Sequence, residues 1–288
     1  MLVNYLTQNF FPVNTTGYYV IQIIGILLCM IVPYILGSLN FAIIISKIFY
    51  HDDIRKYGSG NAGTTNMLRT YGKIPAAATL LLDMSKGAIS VLFGVLILGT
   101  AKHIPDYYTG AFAGNYIAGL FAILGHMFPC FYRFKGGKGV ATTAVVILCT
   151  SPITFLILLA CFVIIVLGSK MISLGSVMCM LIYPLVLSKF TQGDSATVLQ
   201  PQAVLFAFII MGLVVFMHRS NIKRIWEGTE SKLSFTKHAK VPTSGAVAAE
   251  EPEETDETEE DAAAPEKKGE PDKNTSKKKI KNQKKQGK

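Results

Sequence analysis

Residues 140–169 read Val140-Ala-Thr-Thr-Ala-Val-Val-Ile-Leu-Cys-Thr-Ser-Pro-Ile-Thr-Phe-Leu-Ile-Leu-Leu-Ala-Cys-Phe-Val-Ile-Ile-Val-Leu-Gly-Ser169, without a single charged side chain. About 20 apolar residues in a helix match the hydrocarbon thickness of a bilayer, so this run belongs in a membrane. It is long enough for one span with excess, or for two short ones that turn at Thr150-Ser151-Pro152. Ser before Pro is a helix-start signal, and Pro suits a first turn. Whether the run crosses once or twice decides the topology of everything after it.

The loops on either side arbitrate. Residues 51–73 and 132–139 are basic, whereas 100–109 and 189–200 hold one lysine each. Short basic loops stay on the cytoplasmic side. A single crossing by 140–169 would place the basic segment 218–237 outside, and two crossings keep every basic loop inside. Further apolar segments fall at 18–49, 75–99, 108–128, 172–187 and 204–217, and residues 1–46 carry no charge at all. The chain therefore reads as an all-α, polytopic membrane bundle of seven transmembrane helices, N-terminus outside and C-terminus cytoplasmic, with residues 140–150 and 153–168 short or tilted. A water-soluble domain would need polar positions in alternation or at helical spacing, which these runs lack. Residues 1–16 lack the basic start of a cleavable signal, so the first apolar stretch reads as a retained span.

Charge and cysteine usage narrow the function. The net charge is +9, yet residues 240–288 hold 11 lysines against 12 acids, so the surplus lies in the first 239 residues, between the apolar runs. There it can fix topology and hold anions. Within the tail, residues 250–261 are acidic and 267–288 lysine-rich, a composition that buries too little surface to offset chain entropy. Residues 1–238 thus form the membrane domain and 239–288 a disordered cytoplasmic tail. Its basic end could touch anionic headgroups, but a solvated tail is the simpler reading, and no nucleic-acid partner is implied. The five cysteines lie in or beside apolar runs with no CxxC or Cys/His cluster, so neither a metal site nor a disulfide framework is expected.

Three polar stretches carry chemistry. In the first, Gly58, Gly60 and Gly63 allow backbone N–H groups to converge on an anion, Ser59, Asn61, Thr64, Thr65 and Asn66 add hydrogen-bonding groups, and Arg69 supplies a guanidinium fork suited to phosphate. An ordinary polar turn is the alternative, since the order is not that of a nucleotide-binding loop. The second runs from Gly125, His126 and Pro129 to Lys135, Gly136, Gly137, Lys138 and Gly139, directly before an apolar run whose helix N-terminus would favour an anion. A topological anchor explains its lysines but not the interleaved glycines. In the third, after the last span, His218 and Asn221 share one face of a continuing helix while Arg219 and Lys223 point elsewhere. Taken alone it is a basic juxtamembrane helix. Asp83 and Lys86, at i and i+3 inside an apolar run, must face a partner or a cavity. Ser173 follows the short inside turn at Ser169-Lys170.

The stretches GSGNAGTTNMLR, LLDMSKG, GHMFPCFYRFKGGKGVAT and HRSNIKRIWEGTE, in this order and spacing, resemble the PlsY family of bacterial membrane acyltransferases over residues 36–230. Thr64 departs from the family's usual alanine, and the charged tail has no counterpart. The resemblance implies transfer of a fatty acyl group from acyl phosphate to the 1-hydroxyl of glycerol 3-phosphate, giving lysophosphatidic acid and phosphate, the first acylation of phospholipid synthesis in the cytoplasmic membrane. Its substrate-handling residues fall on Ser59, Thr65, Arg69, Lys135, Ser173, His218 and Asn221, and its loop glycines on Gly58, Gly60, Gly136 and Gly137. Two phosphates must lie side by side, which Arg69 and Lys135 can offset. Acyl phosphate is already activated, so no covalent nucleophile or cofactor is required. Catalysis then reduces to positioning, stabilising the departing phosphate and removing the hydroxyl proton. The base is His218, His126 or a substrate phosphate oxygen, with His218 and Asn221 favoured as positioning groups. No histidine has Asp five positions on, which argues against the His/Asp acyltransferases that use thioesters. A phosphate-solute transporter is the principal rival, but it would place its polar groups near the midplane in broken helices or repeats. A lipid-binding scaffold would not need three such stretches.

Overall fold

The computed structural model describes residues 1–10, 15–99, 114–190 and 201–233, and these are helical without a strand. The helices are α1 (Leu2–Phe10), α2 (Thr16–Ser38), α3 (Phe41–Tyr50), α4 (Thr64–Tyr71), α5 (Lys73–Leu98), α6 (Gly114–Met127), α7 (Val140–Thr150), α8 (Pro152–Ser169), α9 (Ile172–Phe190), α10 (Pro201–Met217) and α11 (Arg219–Trp226). The expected tail boundary after residue 238 lies outside the described residues.

Five candidate spans are long and apolar enough to cross a bilayer: Thr16–Tyr50, Lys73–Leu98, Gly114–Tyr132, Pro152–Ser169 and Ile172–Lys189. Ala203–Met217 with Arg219–Trp226 makes a sixth if the bent pair is one span. α7 is apolar but has 11 residues. At about 1.5 Å per residue it reaches roughly half the hydrocarbon thickness.

Two apolar runs break where single residues direct them. The run at 18–49 is a single candidate span, as expected, but its helix is interrupted after Leu39, where Asn40 caps α3, its side-chain oxygen accepting from the Ile43 N–H at 3.2 Å. The run at 140–169 divides at Ser151, with Pro152 opening α8 and Ser151 Oγ 2.7 Å from Thr154 Oγ1. The helix expected to continue past Met217 instead bends by 59° at His218.

α6 is the axis of the bundle, buried along nearly its whole length between α2 and α5. Small residues permit this. A Cβ on Gly37 would strike the Ala122 carbonyl, one on Gly125 the Tyr34 carbonyl, and one on Gly94 the Gly114 carbonyl. Without a hydrophobic driving force between helices in lipid, such backbone approach is what dispersion rewards. The outward faces of α2, α5, α8 and α9 carry exposed Ile23, Ile31, Leu81, Leu92, Ile164, Leu167 and Leu185, an apolar belt that suits lipid.

Candidate active site

The first polar stretch folds around one asparagine. Asn66 donates from Nδ2 to the carbonyls of Ile54 (3.2 Å) and Tyr57 (3.0 Å), and its Oδ1 accepts from the Ser59 N–H at 3.0 Å. Its amide is thus spent inside the loop, which leaves Ser59, Asn61 and Thr65 nearer the surface. Gly58 and Gly60 adopt left-handed backbone, φ 57° and 69°, and a Cβ on Gly58 would run into Asn66 Oδ1.

The second stretch is strapped to the first. Arg55, oriented by Asp53 (2.7 Å), donates from Nη1 to the carbonyls of Tyr132 (3.2 Å) and Lys135 (3.0 Å). Gly136 and Gly137 donate from their N–H groups to the carbonyls of Met127 (3.2 Å) and His126 (3.1 Å), folding the loop back onto the end of α6. Arg133 and Phe134, both left-handed at φ 56° and 57°, turn the chain before it. In consequence the two lysines part company. Lys135 is exposed on a rim cleft of about 430 Å³ that it lines with Arg55, Gly60, Tyr132, Arg133 and Gly136. Lys138 is partly buried and feels the charges of Glu230, Arg224 and Arg69. Burial pulls its ammonium down to about 8, opposed by Glu230 and aided by the two arginines.

The third stretch closes the group through an acid to which the sequence reading assigned no role. Glu230 accepts from Ser173 Oγ (2.6 Å) and Asn221 Nδ2 (2.7 Å) at one oxygen, and from Arg224 Nε (2.8 Å) at the other. Burial pushes its carboxyl up, but these three donors outweigh it and hold Glu230 below the ordinary carboxylate value. Arg69 reaches the same end of the molecule, donating to the Ser231 carbonyl at 3.3 Å, and the Leu233 N–H donates to the Lys170 carbonyl at 2.6 Å. Only position could have marked Glu230, since it follows Arg224 by six residues in a segment otherwise read for its basic groups.

His218 is fully enclosed at the bend, its Nδ1 2.8 Å from the Val214 carbonyl. A carbonyl cannot donate, so Nδ1 carries the proton and Nε2 keeps its lone pair. His126 is buried elsewhere, with Nδ1 3.0 Å from the Lys86 ammonium. An ammonium cannot accept, so here Nδ1 holds the lone pair and Nε2 the proton.

Arg69, Lys138, Ser173, His218, Asn221, Arg224 and Glu230 therefore gather at one end of the bundle, with the glycine loop of Ser59 and Thr65 strapped alongside. Lys135 stands on the rim, Asn66 inside its loop and His126 among the helices. Among the described residues no His, Cys, Asp or Glu group suited to a metal occurs. Arg69 and Lys138 have no acidic partner within salt-bridge distance there. Such a surplus of cations and amide donors around one carboxylate is suited to a doubly charged phosphate.

Comparison with known proteins agrees with this chemistry. A family model described as glycerol-3-phosphate acyltransferase matches residues 27–228. The glycerol-3-phosphate acyltransferase of Thermoanaerobacter sp. (strain X514) is 41% identical over 206 residues, 72% of this chain and 94% of that protein. That of Staphylococcus carnosus (strain TM300) is 37% identical over 217 residues, 73% of this chain and 98% of the other. The crystal structure of PlsY, an integral membrane glycerol 3-phosphate acyltransferase, in its glycerol 3-phosphate form superposes with a TM-score of 0.60 at 33% identity, covering 73% of this chain and 96% of that one. Its lysophosphatidic acid form gives 0.59 at 32% identity. With its helical bundle, its apolar belt and its cationic site in place, the chain belongs to the PlsY family of integral membrane glycerol-3-phosphate acyltransferases.

Proposed function

We propose that this acyltransferase moves a fatty acyl group from acyl phosphate to the sn-1 hydroxyl of glycerol 3-phosphate, releasing lysophosphatidic acid and inorganic phosphate. The observation that carries the reading is the meeting of Arg69, Lys138 and Arg224 with Ser173, Asn221 and His218 around Glu230. Both substrates bring phosphate, and this end of the bundle holds two more cationic groups than carboxylates, counting Arg69, Lys138 and Arg224 against Glu230. The crystallised relative's glycerol 3-phosphate and lysophosphatidic acid forms support the acceptor and the product.

The acceptor hydroxyl attacks the acyl carbonyl carbon, the tetrahedral intermediate collapses, and the carbon–oxygen bond to phosphate breaks with the electron pair leaving on phosphate. Arg69 and Lys138 offset the charge on the two phosphates and on the departing one. The hydroxyl proton passes to His218 Nε2, the lone-pair nitrogen, or to an oxygen of the phosphate itself. The loop of Ser59, Asn61 and Thr65 lines the approach with Gly136, Gly137 supports it from beneath, and the acyl chain lies among apolar helices.

The basic loops and this cationic end face the cytoplasm of a bacterial inner membrane in our reading, with the N-terminus outside, α7 and α8 as two short crossings, and seven spans in total. A pair of assays tests the function. Purified protein is expected to release phosphate from acyl phosphate only when glycerol 3-phosphate is present, with stoichiometric lysophosphatidic acid. Flux of labelled glycerol phosphate across sealed liposomes without acylation would overturn the acyl-transfer reading.

A further inference from the structure

The acyl-transfer chemistry makes no use of three ionisable side chains that lie deep in the bundle. Asp83, Lys86 and His126 are 1%, 3% and 4% exposed. Ionisable groups at such depth are costly and persist where they serve something. Each Lys86 proton has an acceptor: the carbonyls of Gly37 (3.0 Å) and Leu39 (2.7 Å), which end α2, and His126 Nδ1 (3.0 Å). Asp83 Oδ1, 2.9 Å from the ammonium, balances its charge without taking a proton from it. His126 Nδ1 stands 3.6 Å from the same oxygen, too far for a hydrogen bond. The imidazole is therefore held by lysine in one tautomer and one orientation.

What the imidazole touches on its other side is the glycine loop. The His126 carbonyl accepts from the Gly137 N–H at 3.1 Å, and a Cβ on Gly137 would run into His126 Nε2 and the Ala62 carbonyl. Ala62 belongs to the first loop, and its carbonyl accepts from Asn40 Nδ2 at 3.3 Å. Gly137 thus rests on the His126 ring with the first loop closing over it, and the next residue is Lys138.

We propose that Asp83, Lys86 and His126 form a positioning device for Lys138. The end of α2 and the charge pair on α5 set the His126 ring, the ring sets the height of Gly137, and that height sets where the Lys138 ammonium meets a substrate phosphate. Because Nε2 carries its proton, His126 is also excluded as the base at neutral pH. The proposal rests on the phosphate-binding role given to Lys138 above.

The test is a double-mutant cycle on the full-length protein, with acyl phosphate saturating and glycerol 3-phosphate varied. His126→Gln keeps an acceptor for Lys86 at similar volume. It is expected to leave the unfolding temperature unchanged, raise KM for glycerol 3-phosphate at least tenfold and lower kcat less than fivefold. In the Lys138→Ala background the same change is expected to add less than twofold, since no ammonium is left to place. A purely architectural cluster would give independent effects that multiply, and that result overturns the proposal. So does His126→Gln with an unaltered KM. Where His126→Gln fails to fold, Lys86→Arg is put through the same cycle under the same criteria. Lys138→Ala with a normal KM would overturn the site assignment and this proposal together. Lys138→Ala impaired while the His126 and Lys86 variants are silent overturns this proposal alone.

Discussion

Two buried polar clusters organise this molecule, and they differ in their charge balance. Among the helices, Lys86 faces Asp83, and its three protons are all taken by carbonyls and a histidine nitrogen. At the cytoplasmic-facing end in our reading, Glu230 is saturated by Ser173, Asn221 and Arg224, yet Arg69 and Lys138 stand nearby with no acid of their own among the described residues. A charge-balanced pair buried among helices can only hold shape, because any further ion there would be unpaired. A cluster with surplus positive charge is one that an anion would balance, as the proposed function requires. The contrast separates architecture from binding.

Breaking the balance inside should cost most. Lys86→Met alone leaves Asp83 buried without a counter-charge, a loss of about 3–5 kcal/mol by analogy with broken buried pairs. The expected result is a collapse of the unfolding temperature in detergent, largely restored in the double variant Asp83→Asn/Lys86→Met. Failure of the double variant to recover would mean that the carbonyl contacts at the end of α2 outweigh the charge pairing.

At the other cluster, Arg69→Ala and Lys138→Ala are each expected to lower kcat/KM at least a hundredfold, about 2.7 kcal/mol, with the unfolding temperature intact. Lys135→Ala should stay within about twofold, the range of an exposed charge. Reversal of the two lysines in steady-state kinetics would overturn the separation drawn from the loop geometry.

A smaller effect concerns pH. Lys138 titrates near 8, so its ammonium is present below that value and lost above it. KM for glycerol 3-phosphate should therefore rise as pH passes upward through about 8, up to tenfold per unit where this charge alone governs binding. Lys138→Arg should remove that rise. Glu230 behaves in the opposite sense. Its folded-state value is depressed, so the stability it contributes is complete above its unfolded-state titration and fades as pH falls through the folded one. Glu230→Gln should abolish that acid dependence in thermal melts.

Legibility from sequence varied with the range of the interactions involved. The break at Ser151 could be read because Ser and Pro act within one turn. The break at Asn40 was harder to read, since one polar residue in an apolar run looks tolerable: its oxygen caps Ile43 within one turn, but its amide nitrogen is placed by Ala62, 22 residues on. Motif reading singled out Arg69, Ser173, His218 and Asn221, and the structure brings these four to one end. It placed Asn66 and His126 beside substrate, whereas their side chains are engaged with backbone and with Lys86. Lys135 and Lys138 are indistinguishable as letters around two glycines. Left-handed turns at Arg133 and Phe134, and the strap from Arg55, send one to the rim and the other inward.

Residence in a bilayer and an appetite for anions are sums over many side chains, indifferent to how those side chains are aimed, and so they could be read from the chain written as letters. Which lysine turns toward the Glu230 cluster, which histidine keeps a free lone pair, and that Glu230 reaches back 57 residues to Ser173 while also holding Asn221 are matters of direction. Direction depends on backbone dihedrals and on partners from distant helices, and these exist only once the bundle has closed.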